Sequence, residues 1–358
     1  MKIRLALLDS DKNYLDRLSV MFTNRYPDKI EFHSFTDEQM ALDSLKSGKM
    51  DVFLANESFN IERKEIPERC CFAYIAEDSG IEGIREERAV SKYQRAEMFY
   101  KQILSLYAEN ARNVTGYKLN DRNGTRVFSF VSLEGGAGSS TVAVAFAQWA
   151  AKRGKKVLYL NLEQFGGTET FLEGEGQYDF SDVLFALKSG KGSMALKLES
   201  MVRRDVSGVY FYCSTKNALD LLEMEESELC SLLGELCATG GYDEIVIDTD
   251  FIFDKKTIRI FEMSDKIVFV DDGAEISNVK LVRGHQALRA YGQQKGVAIL
   301  EKAGVFYNKF SSRTSRMVEG LELKNFGGTP RFENGTAKQI IGQLVSLGDF
   351  EKMIAEED

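Results

Sequence analysis

The chain has 358 residues, too many for one ordinary hydrophobic core, so two domains are expected. Hydrophobic residues make up 44% and charged residues 28%, which excludes a disordered or fibrous chain. A net charge of −9 argues against a protein whose main task is coating nucleic acid, because phosphate neutralisation requires clustered Lys and Arg.

In chain order, Ile3 to Leu8 is a short apolar run suited to a buried parallel strand and ended by Asp9-Ser10-Asp11. Leu15, Leu18, Met21 and Phe22 recur at helical spacing. Ile30 to Phe35 reads as a second strand, and Met40, Leu42 and Leu45 mark a second helix before Gly48. Val52 to Ala55 and Cys71 to Ile75 read as a third and fourth strand, and residues 94–109 as a helix burying Met98, Ile103, Leu104 and Leu106. Repeated β–α units predict a doubly wound parallel sheet. Asn113 to Gly124 loses periodicity and is rich in turn formers. The expected organisation is therefore a first domain over residues 1–112, a linker over 113–124 and a second domain over 125–358.

The second domain opens with the strand Val127 to Val131. Further buried strands are expected at Val157–Leu162, Val209–Cys213, Glu244–Ile247, Ile267–Val270 and Val305–Tyr307, again in a parallel α/β pattern. The five cysteines (Cys70, Cys71, Cys213, Cys230 and Cys237) lack CxxC spacing, and two histidines do not make a His-rich metal site. No stretch approaches the roughly 18 apolar residues needed to span a bilayer. The short apolar run at the N-terminus does not read as a signal peptide, so a cytoplasmic chain with no integral membrane segment is expected.

The chemistry concentrates after Val131. Ser132-Leu133-Glu134-Gly135-Gly136-Ala137-Gly138-Ser139-Ser140-Thr141 joins a strand to a helix with Val142, Phe146 and Trp149 on one stripe. Glycines admit positive φ and let backbone N–H groups converge on phosphate oxygens, while the helix N-terminus favours an anion. The competing reading is a tight turn with a serine N-cap. Asp248 ends the buried run Glu244 to Ile247.

The loop resembles the deviant Walker A motif of ParA/MinD ATPases, Lys-Gly-Gly-x-Gly-Lys-[Ser/Thr]-[Ser/Thr], at Gly135, Gly136, Gly138, Ser140 and Thr141. It departs at both lysines. Glu134 stands at the signature lysine, and Ser139 at the phosphate-loop lysine. A carboxylate at Glu134 repels polyphosphate unless it serves another contact. The resemblance implies ATP and Mg2+ as ligands. Residues 135–141 would hold phosphate, Ser140 and Asp248 would hold the metal, and Glu163 in Asn161-Leu162-Glu163-Gln164 would keep the first-switch carboxylate. It also implies that Asn308 reads the adenine edge, with Pro330 and Arg331 beside the base. Without lysines the chain is expected to be at most a slow ATPase.

The first domain resembles a response-regulator receiver, a flavodoxin-like fold. Asp9 matches one acid of the metal pair, and Lys92 the switch lysine. Asn56 stands at the phospho-acceptor and Ile75 at the switch hydroxyl, so phosphotransfer is expected to be absent and the domain to serve protein contacts. A degenerate receiver before a lysine-poor MinD-like domain resembles the TadZ/CpaE family of Flp (tight-adherence) pilus assembly proteins. That resemblance implies a homodimer through the ATPase domain, with pilus proteins or a polar landmark bound through the receiver-like domain. Alternatives are a MinD-type membrane cycler, which the acidic tail from Leu344 to Asp358 opposes, and a ParA-type partition ATPase, which the net charge opposes. An active response regulator is opposed by Asn56.

Overall fold

The computed structural model describes residues 2–78, 80–81, 83–110, 124–239, 241–332, 334–347 and 350–355. The expected linker over 113–124 lies, except for Gly124, outside the described residues. The chain divides into two compact units. One comprises residues 1–115 and 190–200, and the other 116–189 and 201–358.

In the first unit, strand β1 (Ile3–Leu8) leads to helix α1 (Lys12–Arg25), β2 (Ile30–Phe35), α2 (Glu38–Ser47) and β3 (Val52–Asn56). Asp11 and Asp37 cap the two helices by accepting from the N–H groups of Tyr14 and Met40, which fixes both helix starts. Strand β4 (Cys71–Ala76), the hairpin β5 (Gly83–Ile84) and β6 (Glu87–Ser91), and α3 (Ala96–Asn110) follow. The sheet order is β2-β1-β3-β4-β6-β5, with only the β5–β6 pair antiparallel.

Alternation along the central strands divides the core. Leu5, Leu7, Val52, Leu54, Ala73 and Ile75 cluster with Leu15, Phe22, Phe99 and Ile103 of α1 and α3. Ala6, Leu8, Phe53, Phe72 and Tyr74 cluster with Leu42 and Leu45 of α2, and with Ile61 and Ile66. The β–α alternation expected throughout breaks after β3. Residues 57–70 carry only a single 3-10 turn at Arg63–Glu65, and β4 runs on to a hairpin instead of a helix. Arg85 and Glu86 both take positive φ, 51° and 66°, as a two-residue turn between right-twisted strands requires.

The second unit holds β7 (Arg126–Val131), α4 (Ser139–Lys152), β8 (Val157–Asn161) and α5 (Phe180–Ser189). Helix α6 (Met194–Met201) belongs, up to Ser200, to the first unit, where Glu199 accepts from Lys29 and from the Tyr100 hydroxyl, both at 3.2 Å. The chain then continues through β9 (Arg203–Arg204), β10 (Tyr210–Phe211), α7 (Ala218–Leu222), α8 (Glu226–Ala238), β11 (Glu244–Asp248) and α9 (Lys255–Met263). It closes with β12 (Lys266–Asp271), α10 (Glu275–Lys295), β13 (Ala303–Phe310), β14 (Lys324–Pro330), α11 (Ala337–Leu347) and α12 (Glu351–Ile354). The eight strands order as β14-β13-β12-β7-β11-β8-β10-β9, parallel except for the β9–β10 pair.

Strand β7 lies mid-sheet between β12 and β11, so the loop that follows it opens at the carboxyl edge, where doubly wound sheets bind ligands. Beneath it, Phe128, Phe130, Phe146, Val246, Val268 and Phe306 share one core with Phe350 and Met353. Each fully buried phenylalanine contributes about 1.5–3 kcal/mol. The strand β14 and the β5–β6 hairpin have no counterpart in the sequence reading. The expected strand at Val209–Cys213 shrinks to Tyr210–Phe211.

Candidate functional site

Loop 132–138 is shaped by its two positive-φ glycines, Gly136 at 87° and Gly138 at 92°. Gly138 is the N-cap of α4, which begins without a side-chain cap. The first-turn N–H groups of Ser139, Ser140 and Thr141 therefore face the loop as anion donors. Gly135 and Gly136 have open space where a Cβ would stand. At Gly138 a Cβ would meet Asn308 Nδ2 at 2.5 Å.

The side chain of Asn308 occupies that space. Asn308 is 3% exposed, and its Nδ2 donates to the Ala137 carbonyl at 2.8 Å, while the Thr329 hydroxyl donates to its Oδ1 at 3.0 Å. The amide expected at the adenine edge is thus turned onto the loop, because burial obliges it to satisfy loop and neighbouring strand first. Pro330 ends β14 paired with Phe310, and Arg331 follows it; both are exposed at the same sheet edge. Lys309, next to Asn308, donates to the Gly136 carbonyl at 2.7 Å.

Glu134 does not face an empty loop: it forms an ion pair with Lys280 of α10. Burial pushes the nearby Asp271 carboxyl up to about 6; the Gly273 N–H lowers it, while the Asp272 and Glu134 charges raise it. Lys280 therefore balances an acidic flank. Ser139 Oγ, at the lysine position, is buried and has no hydrogen-bond partner.

Register brings the acids together. Asp248 pairs across the sheet with Phe130 on one side and Asn161 on the other, so three strand ends meet beside the loop. Tyr159 donates to Asp248 Oδ2 at 2.7 Å, and Asn161 Nδ2 donates to the Tyr159 hydroxyl at 3.4 Å and to Glu163 Oε2 at 3.3 Å. The Ser140 hydroxyl donates to Glu163 Oε1 at 3.1 Å. Asp248 is fully buried, and its Oδ1 has no partner. Burial, then the Glu163 charge, raises its pKa, against the hydrogen bond from Tyr159 and the nearby Ser140 hydroxyl. Glu163 is raised too, chiefly by burial. An orphaned buried carboxylate oxygen flanked by a hydroxyl and a second carboxylate is a donor set that suits Mg2+. Tyr159 escaped the sequence reading; its only signal is a Tyr two residues before Asn161, on the same strand face.

In the first unit, Asp9, Asn56 and Lys92 do meet, but as a filled cluster. The Asp11 N–H donates to Asp9 Oδ1 at 2.8 Å, while Asn56 Nδ2 at 3.2 Å and Lys92 Nζ at 2.9 Å reach Oδ2. Lys92 also pairs with Glu77 at 3.3 Å and lies 4.9 Å from the Tyr14 ring centre. Both side chains of the Asp9–Lys92 pair are nearly inaccessible, at 0% and 3% exposed.

The carboxyl-edge loop and sheet order define the second unit as a P-loop domain with the ParA/MinD fold. Solved structures agree: a ParA family ATPase from Chlorobium tepidum TLS is 19% identical, with 65% of this chain and 99% of that chain covered and a TM-score of 0.53. The MinC:MinD cell division complex of Aquifex aeolicus is 18% identical, with 65% and 97% covered and a TM-score of 0.51. No curated protein matches the chain. Residues 1–108 match the family model of the TadZ-like receiver domain. The chain thus joins a region matching a TadZ-like receiver domain to a unit with the ParA/MinD fold. Among the described residues no helix is long and apolar enough to cross a membrane.

Three outcomes follow from these contacts. The single tryptophan, Trp149, lies in the second unit, so its fluorescence reports that unit alone. Gly138→Ala should lower the unfolding free energy reported by Trp149 by about 1–3 kcal/mol, whereas Gly135→Ala should stay within about 0.5 kcal/mol. Asp248→Asn should stabilise the ligand-free chain by about 1–3 kcal/mol, more as pH rises, because a raised carboxylate pKa weakens the fold as the proton leaves. The same variant should lose any Mg2+-dependent rise in melting temperature that EDTA abolishes in the parent. Lys92→Met, which strands the Asp9 charge, should destabilise the first unit by about 3–5 kcal/mol. Far-UV circular dichroism should register that loss apart from the Trp149 signal, and adding Asp9→Asn should restore most of it.

Proposed function

We propose that the chain is a nucleotide-controlled scaffold: a positioning ATPase of ParA/MinD type, specialised for assembly and polar placement of Flp/Tad pili. The observation that carries this reading is a complete backbone cradle at Gly135–Thr141 without a lysine at 134 or 139, behind a TadZ-like receiver. In this reading the loop and the first-turn amides of α4 hold the phosphates of ATP. Ser140 and Asp248 hold Mg2+, the latter through water, and Glu163 orients the attacking water. Pro330 and Arg331 flank the base. The bound metal would neutralise phosphate charge and fill the open coordination of Asp248.

Hydrolysis is slow because no loop lysine follows the charge that develops on the transferred phosphoryl group. Nucleotide-dependent homodimerisation through the ATPase domain is then the output, and the receiver-like domain docks pilus proteins or a polar landmark. The filled Asp9–Lys92 cluster supports a contact role for that domain, since it offers no open metal position. A MinD-type lipid cycle is disfavoured because Phe350, which precedes α12, and Met353 within it, both 0% exposed, are committed to the core.

Single-turnover ATP hydrolysis tests the reading. The parent chain should bind Mg-ATP and turn it over slowly, and Ser139→Lys should raise the rate by about 10- to 100-fold. Parent rates already equal to those of the Ser139→Lys variant would overturn the scaffold reading.

A further inference from the structure

The phosphate loop has lost its lysines in sequence, yet a lysine reaches it in space. Lys309 stands at the carboxyl end of β13, directly after the asparagine that fixes the loop. Its backbone takes φ +56°, a left-handed conformation that a lysine rarely adopts. Such strain persists only where surrounding contacts hold it, and it gathers at functional sites. Here the conformation carries the side chain across the loop: Nζ donates to the Gly136 carbonyl at 2.7 Å, and Cε would lie 3.5 Å from a Cβ at Gly138.

The other nearby cation differs in one decisive respect. Lys280 is neutralised by Glu134, whereas the described contacts of the Lys309 ammonium include the Gly136 carbonyl and no carboxylate. An ammonium has three donors, so one bond to the loop leaves two for an incoming oxyanion. One residue beyond Gly138, Ser139 Oγ is buried without a partner, and Gly136 leaves open space where a Cβ would stand. The stretch Gly136–Ser139 thus carries a lysine with no carboxylate partner among its described contacts, an unpartnered hydroxyl and the uncapped start of α4.

We propose that Lys309 supplies, from the end of β13, the phosphate-neutralising charge that positions 134 and 139 no longer carry. The ligand class is the β/γ-phosphate end of a nucleoside polyphosphate, and the inference rests on the nucleotide-binding reading above. The lysine is thus a phosphate ligand tied to Asn308 and to Gly138. Its placement also makes the cation dependent on β13, so disturbing the Asn308–Ala137 bond would move the charge together with the loop.

Isothermal titration of the full chain with Mg-ATP and with adenosine, for the parent and four variants, tests this. Lys309→Met and Lys309→Asn, the latter tolerant of the left-handed backbone, should each weaken Mg-ATP binding about tenfold or more. Adenosine binding should be unchanged, and Lys309→Arg should remain within about threefold of the parent for Mg-ATP. Adding Ser139→Lys to Lys309→Met should recover most of the affinity. Parent-like Mg-ATP binding in Lys309→Met would overturn the inference while leaving the nucleotide reading intact, and an equal loss in Lys309→Arg would reassign the residue to a structural role. No binding of Mg-ATP by the parent would overturn both.

Discussion

The second unit turns on one hydrogen bond, the donation from Asn308 Nδ2 to the Ala137 carbonyl inside the space left by a glycine at 138. It ties β13 to the phosphate loop, whose own strand β7 is separated from β13 by β12. Thr329 holds the other side of the same amide, so the ends of β13 and β14 and the loop share one buried amide. A buried amide left half satisfied costs about 1–3 kcal/mol, which is why this contact and the glycine must persist together.

The two units handle a buried aspartate in opposite ways. Asp9 receives a backbone N–H, an amide and an ammonium, so both oxygens are satisfied within the chain. The amide of Asn56 and the amine of Lys92 thus occupy one carboxylate oxygen, and a receiver scaffold becomes a closed one. Asp248 keeps one oxygen without a partner, and its surroundings disfavour the charge that a metal would welcome. By hydrogen-bond accounting alone, the second unit keeps an open carboxylate oxygen and the first does not, which is the contrast on which the proposed division of roles rests.

Much of this was legible in the sequence where local pattern dictates structure. The run Val127 to Val131 followed by glycines and a Val142–Phe146–Trp149 stripe announced strand, loop and helix, and all three form. The buried run ending in Asp248 likewise became β11. What stayed hidden depends on contacts between distant segments. Nothing in Lys324 to Pro330, with two adjacent glycines, reads as a strand; pairing with β13 makes it one. The missing helices after β3 and β4 were masked by the regular β–α rhythm of the preceding residues. The roles of Tyr159 and Thr329 required the sheet register, that of Lys280 the packing of α10 beside the loop, and the turn of Asn308 onto the loop required the close approach at Gly138. Glu134 was legible as an oddity, but its partner lies 146 positions away, the separation of Glu134 from Lys280.

The central claim is that a phosphate loop without its lysines still holds nucleotide, through backbone amides, borrowed side chains and metal. Equilibrium dialysis of the full chain against labelled ATP, with and without Mg2+, addresses it most directly. The account predicts saturable binding near one nucleotide per chain, strengthened by Mg2+ and competed by ADP. Absence of saturable binding at millimolar ATP with Mg2+ present would contradict it.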